Sequence, residues 1–297
     1  MRTTRGAVVL TPEPDRTPRR RRLTRLVLAA LAGAVAVSGY VAVKGVVNNL
    51  GPTTCQATAS GDSVAFSPEQ TANAALISAL SVKRGLPPRA ATIAIATAIQ
   101  ESKLRNLRVG DRDSVGLFQQ RPSQGWGTPE QLVDPVYATN KFYDALVKVK
   151  DYQTREITQV AQEVQRSAFP EAYADHEQEG RVLASTLTGR SPAGLGCRLD
   201  PVAQAVDGAA VRADLTNQMG VTARVEGAVL TLLASDAEQA WAVAAWAVAR
   251  AEAYGIGQVR VGDRSWMRTR DPGGLTWGAG ATGGSGPANT VTIHLGP

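Results

Sequence analysis

Histidine and cysteine are nearly absent from this chain: 297 residues include His176, His294, Cys55 and Cys197 and no others of either type. The histidines are far apart in sequence and the cysteines have no ligand spacing, so no metal site is expected and no cofactor is implied. A Ser-His-Asp or Cys-His constellation has no recognisable signature here either. Long apolar runs are equally scarce. Only one segment is long enough to cross a bilayer, which excludes a polytopic transporter.

Basic excess is missing from most of the molecule, although the whole chain has 32 Lys and Arg against 26 Asp and Glu and a formal charge of +6. Eight arginines and two acids fall within residues 1–25, a net of +6, so everything after Arg25 is formally neutral. A neutral body argues against nucleic-acid binding, which needs a basic face. No nucleic-acid partner is expected.

The arginines precede the charge-free run from Leu26 to Val43, with Lys44 placed to snorkel at its far end. This pattern predicts an Arg-rich cytoplasmic tail at 1–25 and a transmembrane helix at 26–47. By the positive-inside rule, the remainder then lies outside the cytoplasmic membrane. A cleaved signal peptide is the alternative, since the small residues Ser38 and Gly39 also suit a cleavage region. Both cysteines fall in the extracytoplasmic part, where an oxidising environment permits a Cys55–Cys197 bridge. That bridge would close a loop of roughly 140 residues and contribute about 4 to 5 kcal/mol; two free thiols are the other reading.

Residues 48–66 are polar and small, and read as a linker. Ser67-Pro68-Glu69-Gln70 is a helix-start signal, Gly85 a stop, and Pro87-Pro88-Arg89 a second start. Further helices are expected from Tyr137 to Val149, Ile157 to Val164 and Pro170 to Leu187, separated from the first two by an irregular loop between Asn106 and Trp126. Residues 67–197 thus read as one mainly helical domain. Residues 198–297 read as a small α+β domain, with strands at 225–233, 256–266 and 290–295 around a helix at 238–254. Trp241 and Trp246 on that helix suit a core better than a ligand platform.

The second helix carries the chemistry. Its apolar stretch Ile93-Ala-Ile-Ala-Thr-Ala-Ile ends in Gln100-Glu101-Ser102, and a glycine-pinned loop, Asp113-Ser-Val-Gly116-Leu-Phe-Gln119, follows. A carboxyl group at the end of an apolar helix is poorly solvated and faces the negative end of the helix dipole, and both effects favour its protonated form. Such a group serves as a general acid near neutral pH. The bland reading is a solvated glutamate at a helix end.

Glu101-Ser102, Ser114, Gly116-Leu-Phe-Gln119, Pro122 and Asp134-Pro135 together resemble the lysozyme-like lytic transglycosylases, over roughly residues 85–150. The resemblance implies a lysozyme-like fold of the α+β superfamily for the mainly α domain; with the segments read on either side of it, the expected fold class is a mainly α lysozyme-like domain after one transmembrane helix, followed by a small α+β C-terminal domain. It implies peptidoglycan as substrate, cleaved between N-acetylmuramic acid and N-acetylglucosamine, with Glu101 as acid and then base. Ser102, Ser114, Gly116 and Gln119 carry over as orienting or substrate-binding residues. Tyr173 resembles the tyrosine that reaches the family's cleft from a late helix. Phe118 stands where the family usually has methionine, and Gly110-Asp-Arg-Asp113 departs from its small-residue loop.

Trp126 and Tyr137 are open to two readings, stacking on sugar rings or packing in the core. Asp111 and Asp113 are open to a second-carboxylate role, as in an inverting hydrolase, or to shaping the loop. A water-using muramidase and a non-catalytic glycan-binding scaffold are the rival functions. The C-terminal domain has no chemical motif, and a cell-envelope protein partner for it is expected only from its position.

Overall fold

The segment read as a linker contains a hairpin. Strands β1 (Thr54–Ala59) and β2 (Asp62–Phe66) pair antiparallel around Ser60 and Gly61, both with positive φ, the geometry of a tight two-residue hairpin turn. Cys55, Ala57 and Ala59 alternate inward along β1. Strand β3 (Leu195–Arg198) pairs on the other side of β1, with Cys55 opposite Cys197, and the disulfide joins this pair across 142 residues of sequence. The computed structural model describes Gly39 and residues 51–165, 170–280 and 287–296. The tail at 1–25 and, apart from Gly39, the apolar run at 26–47 lie outside the described residues.

Helices fill the space between β2 and β3. Helix α1 (Pro68–Lys83) starts where its signal predicts: Ser67 and Gln70 form a reciprocal capping box, and Gly85 follows its C-cap at positive φ. Helix α2 (Pro88–Ser102) is buried from Ala90 to Ile99 and is the axis of this part of the molecule. Around it lie α3 (Pro129–Leu132), α4 (Pro135–Leu146), α5 (Ile157–Gln165), a 3-10 segment (Pro170–His176) and α6 (Glu177–Leu187). Gly180 of α6 lets the helix approach α2 closely, since a side chain there would meet the backbone of Thr92 and Ala96.

The C-terminal part holds α7 (Gly208–Met219), β4 (Arg224–Glu226), β5 (Val229–Leu233), α8 (Ala237–Ala249), α9 (Ala251–Tyr254), β6 (Ile256–Val261), β7 (Arg264–Met267), β8 (Gly278–Ala279) and β9 (Thr290–Leu295). Its strands form one antiparallel sheet in the order β4-β5-β9-β6-β7-β8. Helix α8 is apolar on nearly every face because it packs on β6 and β9 and also against α1 and α6. Trp246 is buried within it and donates to Gln218 Oε1, while Trp241 meets Trp277 edge to face at 5.1 Å.

Residues 52–297 form one compact unit. Several polar bonds join residues before and after Cys197 within it. Lys83 Nζ donates to the Asn217 carbonyl at 2.6 Å, Arg190 pairs with Glu238 at 3.1 Å, and the Trp277 indole donates to the Leu195 carbonyl at 2.7 Å.

The expected fold class is corrected on two counts. The chain is not a mainly α domain with strands only after residue 198: a three-stranded antiparallel sheet frames the helices, and a six-stranded one follows. The linker expected at 48–66 is, from Thr54 to Phe66, a hairpin whose inward residues are too small to advertise a strand. A transmembrane helix was the other element of that class. No helix among the described residues is long and apolar enough to cross a membrane.

Candidate active site

Glu101 occupies the last turn of α2, and the backbone just beyond it is bent sharply. Lys103 and Leu104 both take left-handed conformations, with φ of 53° and 56°, which costs a non-glycine residue about 1–2 kcal/mol. Helix α1 holds this bend: Gln70 Nε2 donates to the Lys103 carbonyl at 2.9 Å and Asn73 Nδ2 to the Leu104 carbonyl at 2.8 Å. Strain at this position is held by specific partners rather than relaxed.

The carboxylate itself is partly buried. The Tyr173 hydroxyl, on the fully buried side chain of the 3-10 segment, donates to Glu101 Oε1 at 2.6 Å. The side chain of Gln165, at the end of α5, bonds the same carboxylate and also donates to the Phe118 carbonyl at 2.7 Å. Burial raises the Glu101 pKa above the ordinary glutamate value, and the bonds from Tyr173 and Gln165, which favour the ionised form, oppose it. Burial is the larger effect.

A second staple lies next to the first. His176, one turn after Tyr173, places Nε2 3.1 Å from Gln100 Oε1 and Nδ1 2.8 Å from Glu179 Oε2. Gln100 and Glu101 of α2 thus face His176 and Tyr173 of the 3-10 segment as two adjacent polar pairs.

The glycine-pinned loop is tied to the end of α2 by Ser102. Its buried hydroxyl lies 2.7 Å from the Leu117 carbonyl and 3.0 Å from that of Ala98, its own helix. Gly116 has a φ of 81°, donates to the Leu107 carbonyl at 2.6 Å, and presents its open side to the Leu132 carbonyl, which any side chain would strike. Glycine here is demanded by packing inside the protein. The Ser114 hydroxyl lies 2.7 Å from the Asp111 carbonyl and 3.1 Å from Gln119 Oε1, and Gln119 Nε2 donates to the Gly116 carbonyl at 3.1 Å. Ser114 and Gln119 therefore brace the loop from within.

Asp113 is committed elsewhere. Its Oδ1 accepts from Arg121 Nε at 2.7 Å and its Oδ2 from the Ser123 amide at 2.8 Å; the Arg121 pairing first, then Ser123, holds its pKa well below the usual carboxylate range. Asp111 is exposed and supplies its carbonyl to the loop turn at Ser114.

Tyr137 and Trp126 meet beyond the loop, where the Tyr137 hydroxyl donates to the Trp126 carbonyl at 3.4 Å and Lys141 Nζ lies 5.4 Å from the Tyr137 ring centre. Tyr137 thereby supports the turn at Gly127, and Trp126 is half-buried on the rim of a cavity.

Of the residues singled out in the sequence, the structure brings Glu101, Ser102 and Tyr173 into one bonded group, with Ser114, Gly116 and Gln119 in the loop attached to it. Trp126 and Tyr137 sit farther along, and Cys55–Cys197 frames the whole from the sheet. Gln70, Asn73, Gln165 and His176 were not assigned roles from the sequence, and only Gln70, through its capping box, carried any local signal. Among the described residues no group of three or more His, Cys, Asp or Glu side chains is arranged to hold a metal ion. Comparison of the chain with protein-family models and with curated proteins finds no match.

Proposed function

We propose that the protein is a peptidoglycan lytic transglycosylase in which Glu101 acts as general acid and then as general base. The observation that carries the reading is the Glu101 carboxyl, raised in pKa by burial and held at one oxygen by the Tyr173 hydroxyl. The order Glu101-Ser102, Gly116-Leu-Phe-Gln119, Asp134-Pro135 supports the same class through its resemblance to that family.

Protonated Glu101 gives its proton to the oxygen joining N-acetylmuramic acid to N-acetylglucosamine, and the bond from that oxygen to the muramic C1 breaks. The muramic N-acetyl carbonyl stabilises the developing cation. Glu101, now ionised and stabilised by the Tyr173 hydrogen bond, accepts the proton of the sugar's own 6-hydroxyl as that oxygen closes onto C1. The product is a 1,6-anhydro ring, and water is not consumed. One carboxylate suffices, which agrees with the commitment of Asp113 to Arg121.

Mass analysis of muropeptides released by the purified protein tests the outcome. Anhydro ends are expected. Reducing ends would make the protein a water-using muramidase, and no release would leave a glycan-binding protein.

A further inference from the structure

The segment that carries Tyr173 is long for its type. Pro170–His176 is a 3-10 helix of 7 residues, and the poorer hydrogen bonds of such helices rarely sustain more than about three or four residues unaided. Burial confines the Tyr173 ring, yet the bond from its hydroxyl to Glu101, 2.6 Å long, survives only a small displacement along α2. The register of the segment on that helix therefore decides whether the bond exists.

His176 ends the segment and is placed to fix that register. It is the N-cap residue of α6, but its side chain makes no capping bond to the α6 backbone. The ring instead spans two helices: Nδ1 lies 2.8 Å from Glu179 Oε2 on α6, and Nε2 lies 3.1 Å from Gln100 Oε1 on α2. An Nδ1–H donated to the Glu179 carboxylate sets the orientation of the ring and leaves Nε2 for Gln100. The Gln100 amide has both donors and an acceptor, so it matches Nε2 whether or not that nitrogen holds a proton. Gln100 is the residue before Glu101, and His176 follows Tyr173 by one 3-10 turn. The two side-chain bonds are adjacent rungs between one helix and one segment.

We propose that His176 is a positioning residue for the candidate acid: it clamps the 3-10 segment to α2 through Gln100, with Glu179 orienting its ring, and so keeps the Tyr173 hydroxyl on Glu101. The catalytic meaning of the clamp rests on the transglycosylase reading. Its action on Glu101 is measurable without substrate.

The test follows the Glu101 carboxyl by carbon NMR through a pH titration of the full chain, its resonance identified by its loss in Glu101→Gln. The Tyr173 bond favours the ionised form, so losing it moves the titration midpoint upward. His176→Phe is expected to reproduce about half or more of the displacement caused by Tyr173→Phe, and to add nothing to it in the double variant. His176→Gln, which keeps a polar group near the position of Nε2, is expected to titrate as the wild type. His176→Asn keeps only the Nδ1 position; it is expected to follow His176→Phe, and takes its place should that variant not fold. On purified peptidoglycan, His176→Phe is expected to lower kcat about tenfold with KM within about twofold. A Glu101 midpoint unmoved by loss of the His176 ring, or displacements that sum in the double variant, would overturn the proposal. The expected titration pattern in a protein that releases no muropeptides would sustain the clamp and count against the catalytic reading alone.

Discussion

Tyr173 donates a hydrogen bond to the carboxylate of Glu101 from 72 residues away, at 2.6 Å, and so fixes the orientation of the candidate acid. The bond stabilises the ionised form. Tyr173→Phe therefore raises the Glu101 pKa further while removing the group that supports the carboxylate once its proton is gone. On the proposed mechanism activity requires protonated Glu101 and falls as pH rises through its pKa, so the alkaline limb of the pH–rate profile is expected to move upward. The maximal rate is expected to fall about ten- to hundredfold. A profile that stays in place would separate Tyr173 from the acid.

Burial of Glu101 also makes a statement about stability. A carboxyl whose folded-state pKa is raised stabilises the fold fully below its unfolded-state value, and that contribution is lost as pH rises through the folded-state value. Glu101→Gln is neutral at every pH. It is expected to match the wild type in acid and to melt about 2 °C higher at pH 8, as read by calorimetry.

Asp111 and Asp113 are the second-carboxylate candidates in the sequence, and the bonds of Asp113 to Arg121 and Ser123 argue for a loop brace. Asp113→Asn is expected to keep activity within a few-fold of the wild type. A loss of several hundredfold would restore the water-using mechanism with Asp113 as its base.

Gly116 faces the Leu132 carbonyl at a positive φ. Gly116→Ala combines backbone strain with a clash, and a loss of about 2 kcal/mol or more is expected in denaturant unfolding, together with reduced activity.

The Cys55–Cys197 bond closes a span of 142 residues between paired strands. On the chain-entropy model its loss costs about 5 kcal/mol. Cys55→Ser is expected to lower Tm by about 10 °C or more. Intact mass after alkylation without reduction should show no free thiol in the wild type.

Much of the helical frame was legible because its signals are local. Ser67, Pro68 and Gln70 announce α1, Pro88 announces α2, and Asp134 with Pro135 announces α4. The hairpin at 54–66 was hidden because the inward side of β1 is Cys55, Ala57 and Ala59, residues with little strand character. Helix α7 was missed since Gly208–Met219 has a weak apolar face, and its burial comes from the sheet and α1. At the site, Glu101 stood out through its motif, whereas Gln165 and His176 are placed by tertiary packing alone. The role of Gly116 changed for the same reason: the sequence shows a glycine, and only the fold shows the Leu132 carbonyl beside it.

The most direct measurement compares muropeptides released from purified peptidoglycan by the full-length protein and by Glu101→Gln. Anhydro-ended fragments from the wild type, and a fall to background in the variant, are the predicted result. Equal release by the two proteins, or none by the wild type, would contradict the assignment of Glu101 as the catalytic acid of this protein.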